Sequence, residues 1–378
     1  MQQILRNASA VLISLLASSA AVAENGVTAT SILVGQSAAF SGPASELGTE
    51  MRLGAQTYFD HVNKAGGVNG RRIELKSLDD GYEPKRAAAN TKQLIEQEKV
   101  FALFGYVGTP TSQASLPIFT DAKVPFVGPF TGAGLLRNPV NHYVFNVRAS
   151  YGAETEKIVE QLTSLGMKRI AVFYQDDAYG QAGLSGVTAA MKKRNLEIAV
   201  TGKVERNTVN VGEAVKAIAK TDPQAVVMIS AYTSCAAFIK EMIKAGSVPQ
   251  FVNVSFVGSK ALSKELGDEG RGVGISQVVP FPWNAGTPVV KEYQKLMAAA
   301  GHNDFSFTSL EGFIAAKVLV EGLRRTGPNL TVDRFIATMD GMNNYDAGGF
   351  YVSYSPEDHS GSKFVDLTVI GQNGKFMH

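Results

Sequence analysis

Cysteine is nearly missing from this sequence: Cys235 stands alone among 378 residues, so no internal disulfide can form. Its setting, "ISAYTSCAAFIKEMIKAG", suits a small buried apolar side chain better than a nucleophile. Histidine is scarce as well. The five present, His61, His142, His302, His359 and His378, are far apart, and none has a neighbour at metal-ligand spacing. The sequence also lacks a G-x-S-x-G elbow, a P-loop, a G-x-G-x-x-G turn and an H-E-x-x-H helix. These absences leave no recognisable catalytic, metal-binding or cofactor-binding apparatus, and we expect no enzyme, no metal and no cofactor. A surplus of one charge is lacking too. The 36 basic and 34 acidic residues give a net +2 spread along the chain, which offers nothing to attract nucleic acid or anionic lipid.

Long apolar runs are missing except at the start. There Arg6 precedes "ASAVLISLLASSAAV", which is too short to span a bilayer comfortably, and Ala21-Val22-Ala23 makes a small-x-small cleavage site. Residues 1–23 are therefore predicted to be a signal peptide cleaved after Ala23, and the chain to be exported and soluble. Export argues against any dependence on cytoplasmic ATP or NADH.

What is present is apolar material for a large core: 45% of residues are hydrophobic and 19% charged, in a length that suggests two domains or more. Short apolar runs bounded by Gly, Pro or Asp read as buried strands: "SILVGQSA", "RRIELKSLDD", "VFALFGYVG", "VPFVGPF", "HYVFNVRAS", "RIAVFYQDD", "EIAVTGKV", "AVVMISAY", "QFVNVSFVG" and "GVGISQVVPF". Amphipathic stretches separate them. One places Leu47, Met51, Tyr58 and Val62 at helical spacing and stops at Gly66-Gly67; another ends in Lys192, Lys193 and Arg194, where cations suit the helix dipole. Repeated βα alternation predicts an α/β fold with doubly wound, Rossmann-like parallel sheets. The rhythm breaks at "NHYVFNVRASYGAE", at "GVGISQVVPFPWN" and at "GGFYVSYSPEDHSG", so two lobes joined by three crossover segments are expected. The expected boundaries are 24–146 with 281–349 for the first lobe, and 147–280 with 350–378 for the second.

Two neighbouring strand ends in the first lobe carry hydroxyls and glycines where polar chain usually begins. In "GYVGTPTS" Thr109 sits where a strand stops and a helix starts, and "GPFTGAG" repeats the arrangement with Phe130, Thr131 and Gly132. Unpaired N–H groups at a helix start favour a negative group, small residues admit it closely, and open parallel sheets bind ligands at such carboxyl ends. Either turn alone could equally be a simple helix cap.

From "ILVGQSAAFSGPASELGTEMRLGAQTYFDHVNKAGG" through "VPFVGPFTGAGLLR", "RIAVFYQDDAYGQAGL" and "VVMISAYTSCAAFIKEMIKAG", the chain resembles the periplasmic solute-binding proteins of the leucine/isoleucine/valine-binding family. The resemblance implies a monomeric type I binding protein in the periplasm. Such a protein traps a small-molecule ligand between its lobes and delivers it to ABC transporter permease subunits in the inner membrane. It further implies that Thr109 and the Phe130, Thr131 and Gly132 turn hold a ligand carboxylate, and that Tyr179 and Tyr232 close from the other lobe. Phe40, Tyr82 and Phe256 are expected to line an apolar pocket.

Two departures from the family pattern matter. Where amino-acid-binding members place an acid for the ligand ammonium, this chain has Ser255. Asp176, Asp177 and Glu311 are open as substitutes, although aspartates in such a turn are more often helix caps than ligands and Glu311 can face solvent at a helix start. Ligands of two kinds therefore stay open: a hydrophobic amino acid, or a carboxylate that lacks the amine. In addition, Tyr82 and Gly108 stand where some relatives carry bridged cysteines. The same fold also serves as a ligand-sensing module for amides or amino acids, and the predicted leader favours transport over that alternative.

Overall fold

The computed structural model describes residues 24–378; the predicted signal peptide and its cleavage site after Ala23 lie outside the described residues. Residues 24–145 build one parallel sheet. In chain order its elements are β1 (Ser31–Ala38), α1 (Ser45–Lys64), β2 (Arg72–Asp79), α2 (Pro84–Glu96), β3 (Ala102–Phe104), α3 (Thr109–Asp121), β4 (Phe126–Val127) and β5 (Val144–Phe145). The strand order is β2-β1-β3-β4-β5, with β1 paired to β2 from Ser31 opposite Arg72 to Ala38 opposite Asp79. All three residues of β3 are buried, as expected for a central strand covered on both faces.

The second lobe repeats the alternation with α4 (Tyr151–Ser164), β6 (Ile170–Gln175), α5 (Ala178–Lys192), β7 (Thr201–Val204), α6 (Gly212–Ala219), β8 (Ala225–Ile229), α7 (Tyr232–Lys244), β9 (Gln250–Asn253), α8 (Ser259–Leu266) and β10 (Gly274–Gln277). Capping side chains mark several helix starts: Ser150 Oγ accepts from the Ala153 N–H, and Asp177 from the Tyr179 N–H.

The chain then returns to the first lobe. Helices α9 (Pro288–Ala299), α10 (Phe307–Thr326) and α11 (Val332–Asp340) follow β10, and α10 packs along α1. The contact is close enough that a Cβ on Gly54 would lie 1.7 Å from the Ser309 carbonyl oxygen, and one on Gly312 would lie 2.1 Å from that of Met51. Glycine at these two places lets the helix backbones touch.

The expected third crossing departs from a simple strand. β11 (Tyr345–Asp346), β12 (Tyr351–Ser355) and β13 (Asp358–Gly361) form a small antiparallel sheet of their own. Ser355 Oγ accepts from the Glu357 and Asp358 N–H groups, and this turns the chain back before it crosses. The expected boundary at 350 puts residues 350–361 in the second lobe. Their contacts run to first-lobe elements: the His359 ring stacks on Phe145 at 4.2 Å, bonds the Val144 carbonyl and pairs with Asp340 of α11. The crossing itself follows, with the Ser362 N–H donating to the Val147 carbonyl of the first crossing.

Finally β14 (Asp366–Ile370) pairs antiparallel with β10 and β15 (Phe376–Met377) antiparallel with β14, giving the order β15-β14-β10-β9-β8-β6-β7. The result is the two doubly wound lobes expected. Among the described residues no helix is long and apolar enough to cross a membrane.

Candidate functional site

The carboxyl ends of β3 and β4 meet as their sequence suggests. Gly108, at φ +103°, ends the strand-to-helix turn, and a Cβ there would lie 2.2 Å from the Tyr82 ring. Only glycine lets that ring sit against the turn. Thr109 then opens α3, and its Oγ1 lies 2.7 Å from Thr131 Oγ1 in the neighbouring turn. Thr131 reaches on to the Tyr151 hydroxyl at 3.4 Å. Gly132 accepts from the Tyr151 N–H, and a Cβ on Gly132 would lie 2.6 Å from that nitrogen. Three buried hydroxyls therefore form one ladder from the first lobe to the first turn of α4.

Over this ladder lie aromatic rings from both lobes. Phe256, in the short turn after β9, has ring centroids within 4.6 Å of Tyr179, 5.3 Å of Phe130 and 5.8 Å of Tyr82. Tyr151 lies 5.3 Å from Tyr179. Tyr82 and Phe130 belong to the first lobe, Phe256 and Tyr179 to the second, so one ring cluster closes the space between them. Burial, its chief cause in each case, raises the phenols of Tyr82 and Tyr179 far above their ordinary range and that of Tyr151 to about 12. They are neutral donors at neutral pH, and the Tyr179 hydroxyl has no partner among the described residues.

Beside the rings sits a side chain that the sequence reading did not single out. Arg148, on the first crossing, is wholly buried, with its guanidinium 4.9 Å from the Phe130 ring centre and 5.9 Å from that of Tyr151. Its Nη2 donates to Ser255 Oγ and lies 3.4 Å from Glu154 Oε1; its Nε is 3.5 Å from Glu311 Oε1. Burial opposes the charge on Arg148, and the Glu311 and Glu154 carboxylates outweigh it, so the guanidinium is held charged. Glu154 is fully engaged, accepting also from the Ser255 N–H at 2.8 Å and from Ser276 Oγ at 2.6 Å. Burial pushes Glu311 up to about 7, against the pull of Arg148. One signal for this cluster was legible: a lone arginine in the otherwise apolar crossing "YVFNVRAS" needs a counter-charge once buried.

The remaining candidates fall elsewhere. Asp177 caps α5, accepts from Gln175 at 2.7 Å and pairs with Arg206 at 3.1 Å, while Asp176 pairs with Lys203 on the surface. Tyr232 is buried at the start of α7, beside Ser45 and Glu46 of the first lobe and outside the Phe256 cluster. Phe40 is half-buried, with the Arg52 guanidinium 4.1 Å above its ring.

Where β2 and β7 end, polar side chains join the lobes at the lip. Arg206 donates to Glu83 at 2.9 Å, Asn207 donates to Glu83 at 2.7 Å and to the Gly81 carbonyl at 3.1 Å, and Gln175 donates to the Tyr82 hydroxyl at 3.1 Å. On another edge Lys260 of α8 pairs with Glu50 and Asp304 of the first lobe.

Comparison with known proteins gives the family and the fold. Residues 31–375 fit the family model described as periplasmic binding protein. A crystal structure described as a possible leucine/isoleucine/valine-binding protein from Rhodopirellula baltica SH 1 is 34% identical, with a TM-score of 0.88 over 95% of this chain and 98% of that one. A substrate-binding periplasmic protein from Ralstonia solanacearum is 33% identical, with a TM-score of 0.86 over 92% and 99%. The leucine-, isoleucine-, valine-, threonine- and alanine-binding protein of Pseudomonas aeruginosa is 21% identical over 82% of each chain.

Proposed function

Because this chain belongs to the type I periplasmic binding proteins of the leucine/isoleucine/valine-binding family, a family of solute binders and not of enzymes, we propose that it captures a small apolar ligand bearing a carboxylate. The ligand class comprises hydrophobic amino acids and related carboxylates. Capture occurs between the lobes by hinge closure, and a monomeric protein then delivers the ligand to the permease subunits of an ABC transporter in the inner membrane. The leader, residues 1–23, is removed after Ala23 on export to the periplasm.

The observation that supports this reading best is the hydroxyl ladder of Thr109, Thr131 and Tyr151 beneath rings drawn from both lobes. Donors at two adjacent strand ends suit a pair of anionic oxygens, and the rings suit an apolar body. Closing the lobes removes both from water, where each hydrogen bond to a charged group counts for more.

A thermal-shift panel of apolar amino acids and apolar carboxylates tests the proposal. A ligand at a hundred times its Kd stabilises the native state by about 2.7 kcal/mol, enough to read as a raised midpoint. No shift with any member at millimolar concentration would refute the ligand class. Small-angle scattering on a binder tests closure, and an unchanged radius of gyration would refute the hinge.

A further inference from the structure

Five acids that border the cleft already have a resident cation. Asp177 and Glu83 share Arg206, Glu50 has Lys260, and Glu154 and Glu311 face Arg148. The lone pairs of Glu154 are taken by Ser255 and Ser276, and those of Asp177 by the α5 cap, Gln175 and Arg206. Of these five, Glu311 is the one that accepts no hydrogen bond among the described residues. An ammonium brought to it would lie beside the guanidinium whose Nε is 3.5 Å away, and two buried cations at that range repel.

Donors are left over instead. Neither Nε nor Nη1 of the wholly buried Arg148 has a hydrogen-bond partner among the described residues, although a guanidinium carries five N–H groups. Buried charged donors without acceptors are costly, and the acceptor that fits their fork is a carboxylate. The position is right for one. The guanidinium lies over Phe130 and near Tyr151, the last member of the hydroxyl ladder, and it is tied to Ser255. Resting on the proposed function above, we infer that Arg148 is the anion anchor of the cleft and selects an apolar monocarboxylate that carries no amine.

Glu311 provides an independent sign. The charged groups facing it are Arg148, Glu154 and Arg137, and burial has already moved it up to about 7. A ligand carboxylate arriving on Arg148 weakens the pull of that cation and drives Glu311 to take up a proton. An ammonium would do the reverse.

The experiment compares matched pairs with the native protein: 4-methylpentanoate against leucine, and 3-phenylpropanoate against phenylalanine. Calorimetry in buffers of differing ionisation heat, near pH 7, counts protons. The deaminated member of a pair is expected to bind at least tenfold tighter than its partner and with net proton uptake. Arg148→Lys, which keeps the charge and loses the fork, is expected to cut that preference at least tenfold. If the variant fails to fold, the wild-type pairs and the proton count decide alone. Amino acids binding as well as or better than their partners, or protons released on carboxylate binding, would overturn the inference while leaving the proposed function standing. Binding by neither class would overturn both.

Discussion

The proposed closure has an address that can be cut without touching the rings or the hydroxyl ladder. Glu83, just before α2, receives Arg206 at 2.9 Å and Asn207 at 2.7 Å from the loop after β7. The Glu83 side chain is 43% exposed, so its ion pair is solvent-screened and counts for ~0.2–1 kcal/mol. The Asn207 bond to the carboxylate adds ~0.5–1.5 kcal/mol. Arg206 keeps Asp177 as a partner, so Glu83→Ala strands no buried charge. The loss is then about 1–2 kcal/mol of closed-state preference, or roughly a 5- to 30-fold rise in the open-to-closed ratio. Spin labels on cysteines introduced at the exposed Lys85 and Lys216 report the interlobe distance, because the buried Cys235 is shielded from the reagent. The variant should show a larger open fraction, and the tightest ligand of the panel should leave it faster by the same factor. High salt should narrow the gap between the two proteins by screening the Arg206 part alone. An identical distance distribution, together with an unchanged dissociation rate, would refute the assignment of this contact as the latch.

Two further outcomes are expected. Thr109→Val removes the hydroxyl 2.7 Å from Thr131 at constant volume, and should weaken carboxylate binding by about tenfold or more while the melting midpoint holds; calorimetry showing unchanged affinity would exclude Thr109 from the site. Burial raises Glu311 to about 7, so the stability it contributes is fully present below its ordinary value and is lost as the pH climbs through about 7. Glu311→Gln should therefore flatten the fall in melting midpoint between pH 4.5 and 7.5. A residual slope of the same sign is expected from Asp80, raised to about 6 chiefly by burial, and an unchanged profile would show that Glu311 does not titrate there.

The alternation of strands and helices was legible because most strands are short runs between turn residues, wholly buried in the case of "AVVMI" of β8. Thr109 and Thr131 were legible for a local reason as well: strand end, glycine and hydroxyl are all written within a few residues. The charged cluster was not. Arg148, Ser255, Ser276 and Glu311 come from four separate places in the chain, and only the packing of the crossing against β9, β10 and α10 makes them one group. Glu311 stayed open in the sequence between an ammonium partner and a solvent-facing helix start, because its neighbours do not reveal that α10 lies against Arg148 of the crossing. The hairpin of β12 and β13 was missed because the Ser355 side chain, not the apolar pattern, reverses the chain.

The return of α10 to the first lobe also dictates an order of assembly. Ser306 Oγ donates to Glu50 Oε2 across 256 residues of chain, and the face of α1 that carries Gly54 and Tyr58 lacks its cover until that segment arrives. Closing so long a loop costs entropy before any contact repays it. The strands β6 to β10 and their helices are contiguous in the chain and need no such closure. During refolding, pulsed hydrogen exchange should therefore protect β6, β8 and β9 before β1 and β3, and simultaneous protection would contradict this order. The lobe that comes first in sequence waits for chain 256 residues downstream.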